Sequence, residues 1–160
     1  MIFVTVGAQM AFDRLVEAVD EWAGATGRGD VFAQIGPTDL EPRHVPFERF
    51  LEPPAFRAKA EAATVIVAHA GMGSILTALT MGTPILVMPR RGDLRETRND
   101  HQVATARRLG EMGRVAVAMD EAELRRRLDA IDELADGGRI GAHAEDALLR
   151  AIRAEILGRT

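Results

Sequence analysis

The first candidate site is a glycine-containing loop between a buried strand and a helix. Residues 65–73 read Val-Ile-Val-Ala-His-Ala-Gly-Met-Gly, and a helical pattern follows at 74–79. Glycines let the backbone approach a ligand, and the unpaired N–H groups of a helix's first turn attract anions. The pattern therefore predicts a phosphate site. The alternative is that Gly71 and Gly73 serve only a tight turn.

A second polar loop follows the next apolar run, residues 84–88. It passes through the charged segment 89–98 into Asn-Asp-His-Gln at 99–102. In a parallel sheet both loops leave at the same edge, where open α/β sheets bind their ligands. A phosphate loop beside a loop rich in hydrogen-bonding side chains favours a phosphorylated polar ligand such as a sugar nucleotide.

Composition limits the class of partner. The chain has 160 residues, and we treat 1–160 as a single nucleotide-sugar-binding domain. Its 47% hydrophobic and 28% charged residues are typical of globular proteins, and a net charge of −4 argues against nucleic acid. Cysteine is absent, which is compatible with a reducing compartment and makes the cytoplasm the default prediction. The apolar start is too short for a signal segment, and no stretch reaches transmembrane length.

The elements that must position these loops alternate between strand and helix, which predicts an α/β fold: a Rossmann-like parallel sheet with helices on both faces. The expected strands are 2–6, 31–35, a weaker 45–51, 65–68, 84–88 and 115–119. The expected helices are one through Phe12, Leu15, Val16, Val19 and Trp22, then 53–62, 74–81, 99–112, 121–134 and 142–157. Asn99 with Gln102, and Asp120 with Glu123, predict capping boxes.

These segments resemble the C-terminal, donor-binding domain of the family 28 glycosyltransferases, which have the GT-B architecture. The resemblance rests on residues 3–7, 12–15, 69–74, 84–90 and 99–102. It is strongest to the free-standing form, the small subunit of a two-subunit transferase. It implies a fold equivalent to the C-terminal half of GT-B, a UDP-sugar donor, no cofactor and no bound metal. It also implies a membrane-associated partner that supplies the general base and binds a lipid-linked acceptor.

The resemblance also implies roles for three groups of residues. The diphosphate-binding group is Gly71, Met72, Gly73, Ser74 and His69. The uracil- and ribose-binding group is Phe50, Leu51 and Thr77. The donor-sugar group is Asp100, His101 and Gln102.

Several of these roles have a structural alternative. His69 could bond to nearby backbone at the end of its strand instead of to phosphate. The side chains of Phe50 and Leu51 could simply pack in the core. Gln102 could cap a helix rather than bind a sugar hydroxyl, although its amide both donates and accepts.

Two positions depart from the family pattern, and two arginines have open roles. Thr77 stands where relatives usually have a glutamate that binds the ribose hydroxyls. Ala8 replaces a common threonine or serine, for which Gln9 could compensate. Arg90 and Arg91 either neutralise the diphosphate or are solvated surface charges.

The sequence thus predicts the donor-binding subunit of a two-component glycosyltransferase in polysaccharide or glycolipid synthesis. It would be cytoplasmic and held at the inner face of the membrane by its partner. The alternative is a regulatory module that senses a nucleotide sugar without catalysis. An oxidoreductase is disfavoured because residues 6–9 lack the complete dinucleotide-binding glycine pattern. The donor sugar, whether glucuronate, galactose or GlcNAc, is left open.

Two further expectations concern metal and partner binding. No Asp-x-Asp occurs and the four histidines lack chelating spacing, so no metal site is predicted. An apolar stripe in the expected last helix either docks the partner or covers the domain's own sheet. Its residues are Leu148, Leu149, Ile152 and Ile156.

Overall fold

The computed structural model describes residues 1–111 and 115–137, whose strands form one parallel sheet. The strands are Ile2–Thr5 (β1), Val31–Gln34 (β2), Phe47–Glu48 (β3), Val65–His69 (β4), Ile85–Met88 (β5) and Ala116–Val117 (β6). Their order is β3-β2-β1-β4-β5-β6. The order reverses between β1 and β4, and the loops at that carboxyl edge form the crevice where such sheets bind ligands.

Helices cover both faces of this sheet. They are Asp13–Thr26 (α1), Pro53–Ala62 (α2), Met72–Thr80 (α3), His101–Glu111 (α4), Glu121–Asp129 (α5) and Ile131–Gly137 (α6). Successive strand residues point to opposite faces, so Val4 packs in one buried cluster and Phe3 in another. Leu15 and Trp22 of α1 join the first cluster, and Ile75 of α3 joins the second. The predicted two-sided α/β sheet is confirmed.

Three predicted elements are wrong in extent. The strand expected at 45–51 contains only β3, because the Val45 N–H donates to the Asp20 carboxylate at 3.0 Å instead of joining the sheet. The strand expected at 115–119 contains only β6. The helix expected at 121–134 is two helices separated at Ala130. Asp129 accepts from the Trp22 indole at 3.0 Å on one side of this break, and Ile131 is buried on the other.

One capping prediction holds in part and the other is wrong. Asp120 accepts from the N–H of Glu123 at 2.8 Å, as expected at the start of α5, but the Glu123 carboxylate accepts from the Met119 N–H at 2.9 Å rather than from that of Asp120. At the start of α4, Asn99 accepts from the N–H of His101 at 3.0 Å. The Gln102 side chain is turned into the protein, so the two residues form no capping box. The expected helix at 142–157, with its apolar stripe, lies outside the described residues.

Candidate functional site

The loop after β4 presents the free end of a helix. Gly71 is the N-cap of α3, and no side chain caps this helix. The first intrahelical bond runs from the Ile75 N–H to the Gly71 carbonyl at 3.2 Å, which leaves the N–H groups of Met72, Gly73 and Ser74 without an intrahelical acceptor. A Cβ added at Gly73 would meet nothing within 4 Å. These three N–H groups of the predicted diphosphate group thus form an open set of donors at the positive end of α3.

His69 lies beneath this loop, and both of its ring nitrogens are bonded within the protein. Nε2 is 3.2 Å from the Ser74 hydroxyl oxygen, and Nδ1 is 3.0 Å from Nη1 of Arg90. A guanidinium only donates, so Nδ1 accepts and the ring proton lies on Nε2, which donates to Ser74. The pKa of His69 is lowered to about 3, mainly by burial and further by the charge of Arg90. The ring is therefore neutral at physiological pH.

The His69 ring occupies space that a Cβ would fill at either of two glycines, Gly7 and Gly71. A Cβ at Gly7 would lie 2.9 Å from Nε2, and a Cβ at Gly71 would overlap Cε1. Gly7 also has a φ of +78°, a conformation that favours glycine. Thr5 accepts from the Gly7 N–H at 3.2 Å, and Gln34 donates to the Gly7 carbonyl at 2.9 Å. The loop after β1 is therefore held rigidly against the imidazole.

The three residues predicted to bind the donor sugar have different surroundings in the structure. Gln102 faces inward: its Oε1 accepts from the Arg90 N–H at 3.1 Å, and its Nε2 lies 3.2 Å from Nδ1 of His69. Asp100 accepts from the Gly92 N–H at 2.9 Å and so shapes its own loop. His101 is exposed at the start of α4. Of the three side chains, His101 alone is free of such a bond within the described residues.

Sequence reasoning missed Arg14, which holds the second loop in place. Its guanidinium binds both carboxylate oxygens of Glu96 at 2.9 Å and reaches Glu121 at 2.9 Å. Glu96 also accepts from the Arg91 N–H at 3.0 Å. Arg14 lies within one of the segments that carry the family resemblance, but its partners lie 82 and 107 positions away. Local sequence patterns do not predict contacts between residues so far apart in the chain.

Of the predicted uracil and ribose group, Thr77 borders a cavity of about 370 Å³ between α2 and α3, whereas Phe50 and Leu51 do not line it. The cavity is lined by Pro53, Phe56, Arg57, Leu76, Thr77, Thr80 and Met81. Thr77 donates to the Gly73 carbonyl at 2.8 Å, so its hydroxyl offers a ribose only acceptor capacity. Leu51 packs against the core, but Phe50 is 57% exposed, so its expected core packing is wrong.

The two adjacent arginines have different surroundings. Arg90 is 5% exposed, so it is not a surface charge. Arg91 is exposed to solvent in part and pairs with Asp93 at 2.6 Å. Among residues 1–111 and 115–137, no group of three or more histidines and acids could hold a metal ion.

Comparison with known proteins identifies the domain. Residues 1–136 match the glycosyltransferase family 28 C-terminal domain. The chain belongs to this family. Its fold is accordingly that of the C-terminal domain of GT-B glycosyltransferases. No curated protein matches the chain significantly.

Solved structures related to this family 28 domain include three with similar folds. The glycotransferase of kitacinnamycin is 24% identical with a TM-score of 0.63, over 96% of this chain and 39% of that one. Glycosyltransferase SsfS6 of Streptomyces sp. SF2575, complexed with thymidine diphosphate, is 21% identical with a TM-score of 0.59, over 91% and 37%. The ALG13 solution structure is 20% identical with a TM-score of 0.56, over 81% and 83%. The chain thus spans about two fifths of the first two proteins and most of ALG13.

Proposed function

We propose that this family 28 domain binds the UDP-sugar donor of a glycosyltransferase. The observation that carries the proposal is the uncapped start of α3, where the N–H groups of Met72, Gly73 and Ser74 are free to bind a diphosphate. The same donors would stabilise the charge that develops on the leaving UDP, since they are fixed before the reaction begins. The Ser74 hydroxyl adds a further donor, because His69 already donates to its oxygen.

The nucleoside would extend from this diphosphate along α3 into the cavity beside Thr77. Its polar lining comprises Arg57, Thr77 and Thr80, and its apolar lining suits the face of a base. The backbone at Phe50 and Leu51 would read the uracil edge. The donor sugar would lie toward the second loop, where His101 is exposed.

We further propose that a second polypeptide supplies the acceptor site and the general base. The chain spans 39% of the kitacinnamycin glycotransferase, which leaves most of that enzyme without a counterpart here. The chain covers 83% of the ALG13 chain, so this fold also occurs in a chain that contains little beyond this domain. The partner would be membrane-associated, would bind a lipid-linked acceptor for polysaccharide or glycolipid synthesis, and would hold this domain at the cytoplasmic face.

The described helices bear on how such a membrane association could arise. None of the helices within residues 1–111 and 115–137 is long and apolar enough to cross a membrane.

A regulatory module that binds the same nucleotide sugar is the second candidate function. It would be favoured if the complex with a partner binds UDP but transfers no sugar.

Calorimetric titration with UDP tests the donor site. We expect saturable binding, and Ser74→Ala should weaken it by about tenfold, the loss expected for one hydrogen bond to a charged group. Thr64→Ala is the control, because Thr64 bonds to the Met1 carbonyl at the opposite edge of the sheet. If neither the chain nor its complex with a partner binds UDP at millimolar concentration, the proposed site is wrong.

Thr77→Glu should increase the preference for UDP over 2′-deoxy-UDP. A carboxylate at this position could accept from both ribose hydroxyls, whereas the threonine hydroxyl already donates to Gly73. We expect the ratio of the two dissociation constants to rise by about tenfold, as for a hydrogen bond to a charged acceptor. Thr64→Glu adds the same charge at the opposite edge of the sheet, where Thr64 bonds to the Met1 carbonyl, and is the control. An unchanged ratio in Thr77→Glu would show that residue 77 does not face the ribose.

A further inference from the structure

Arg90 joins three segments beneath the proposed diphosphate site. Its Nη2 donates to the carbonyls of Val6 at 2.7 Å and Met10 at 2.6 Å, both in the loop after β1. Its Nη1 donates to Nδ1 of His69 at the end of β4. Its guanidinium lies 5.3 Å from the centre of the Phe12 ring. The side chain therefore links the ends of β1, β4 and β5 at the point where the sheet order reverses.

The charge of Arg90 lacks a counter-ion in the described part of the chain. The ion pairs within 4.0 Å there do not include Arg90, and its buried Nε has no hydrogen-bond partner. Burial lowers the pKa of Arg90, with an opposing contribution from the charge of Glu96. The Glu96 carboxylate is itself held by Arg14 at 2.9 Å. A buried cation without a close anion is costly, and a bound diphosphate would reduce that cost.

The contact with His69 sets the direction of a proton chain. Since Arg90 can only donate, it requires a lone pair on Nδ1 and so places the imidazole proton on Nε2. That proton is donated to the Ser74 oxygen, which leaves the Ser74 hydroxyl proton for an acceptor outside the protein. The Gln102 amide supports the same tautomer, because its Oε1 accepts from the backbone N–H of Arg90 and its Nε2 then donates to Nδ1.

We propose that Arg90 is a positioning residue for the diphosphate. Together with the Gln102 amide it holds His69 as the Nε2–H tautomer, thereby directs the Ser74 proton toward the ligand, and it supplies a buried positive charge that the ligand compensates. This inference rests on the proposed function, and it goes beyond it by assigning a role to a side chain that is too buried to be the main contact.

The first test is nitrogen NMR of the His69 ring in the full wild-type chain without nucleotide. We expect a neutral ring with the proton on Nε2. In Arg90→Met combined with Gln102→Leu, which removes both side chains that donate to Nδ1, we expect a measurable fraction of the Nδ1–H form, whereas Gln102→Leu alone should keep the Nε2–H form because Arg90 still donates to Nδ1. Arg91→Met is the matched control, because Arg91 is paired with Asp93 and does not contact the imidazole. A wild-type ring protonated on Nδ1 would overturn the inference, whether or not any variant folds.

The second test is UDP binding by calorimetry. Arg90→Met should bind UDP at least about tenfold more weakly, Arg90→Lys should lose less because it keeps the charge, and Arg91→Met should stay within about twofold. Combining Arg90→Met with Ser74→Ala should cost less than the sum of the two changes, because both act on the same proton. Wild-type UDP affinity in a folded Arg90→Met variant would refute the role of Arg90 but not the proposed function. Absence of UDP binding to the wild-type chain would refute the proposed function, and the inference with it.

Discussion

Gly71→Ala is expected to reduce UDP affinity by a factor on the order of 100. This corresponds to the free-energy cost of overpacking a core site. The new Cβ would overlap Cε1 of His69. Both ring nitrogens are bonded within the protein, to Ser74 and to Arg90, so a shift of the ring would break these bonds. The ring or the loop must therefore move, and either movement breaks the arrangement of donors.

Gly73→Ala is expected to change fold stability and UDP affinity in opposite directions. A Cβ at Gly73 would meet nothing within 4 Å in the protein, and Gly73 lies within α3. Alanine should therefore stabilise the fold by about 0.5–1 kcal/mol, because glycine costs more conformational entropy in a helix. The same Cβ would project into the space where the diphosphate is proposed to bind, so UDP affinity should fall by about tenfold.

Thermal unfolding and calorimetry on the three variants Gly71→Ala, Gly73→Ala and Gly29→Ala distinguish these effects. Gly29 is the control, because a Cβ there also meets nothing within 4 Å but the residue lies at the amino edge, just before β2. We expect Gly29→Ala to leave UDP affinity unchanged. A Gly71→Ala variant with wild-type affinity would contradict the placement of the diphosphate above His69.

Local patterns were sufficient to predict the sheet, because parallel strands buried on both faces read as continuous apolar runs. The run at 65–69 and the run at 85–88 are both of this kind. The Pro-Pro start of α2 and the glycine at the start of α3 also mark their helices locally. The short β3 was not predictable, since its limit depends on Asp20, a residue 25 positions before Val45.

The site was predictable only where its chemistry is carried by the backbone. The glycine loop and the start of α3 follow from the sequence around Gly71, because the N–H groups of a helix start are unpaired whatever the distant partners are. The burial of Arg90 could not be predicted from the local sequence, since it depends on the carbonyls of Met10 and Val6, which lie 80 and 84 positions away. The same holds for Gln102, whose inward turn depends on His69, 33 positions away.

The isolated chain is expected to bind UDP but to transfer no sugar, and the second polypeptide should restore transfer. In the described part of the site, His69 has both ring nitrogens bonded within the protein, so it is not placed to deprotonate an acceptor hydroxyl. Coexpression with the product of a neighbouring gene, followed by assay with UDP-glucuronate, UDP-galactose and UDP-GlcNAc on membranes, measures this. Transfer by the isolated chain would refute partner dependence.

The partner should dock at the carboxyl edge of the sheet. The exposed large hydrophobic residues of the described chain are Met10, Phe50 and Leu94, at 40%, 57% and 46% exposure, and they lie in the loops after β1, β3 and β5. Three such residues on one edge are typical of a surface that a partner covers. Leu94→Asp should therefore weaken copurification and transfer by about tenfold or more while leaving UDP affinity unchanged, since a charge would be buried without a counter-ion.

Ala62→Asp is the control for this surface, because Ala62 is exposed at the end of α2, immediately before the amino edge of β4. It should affect neither the complex nor the transfer of sugar. If Leu94→Asp and Met10→Asp both retain the partner and full activity, the contact lies elsewhere. Truncation after Gly138 would then test the apolar stripe at 148–156 as the docking element, since loss of the partner in that variant alone would assign the contact to the last segment of the chain.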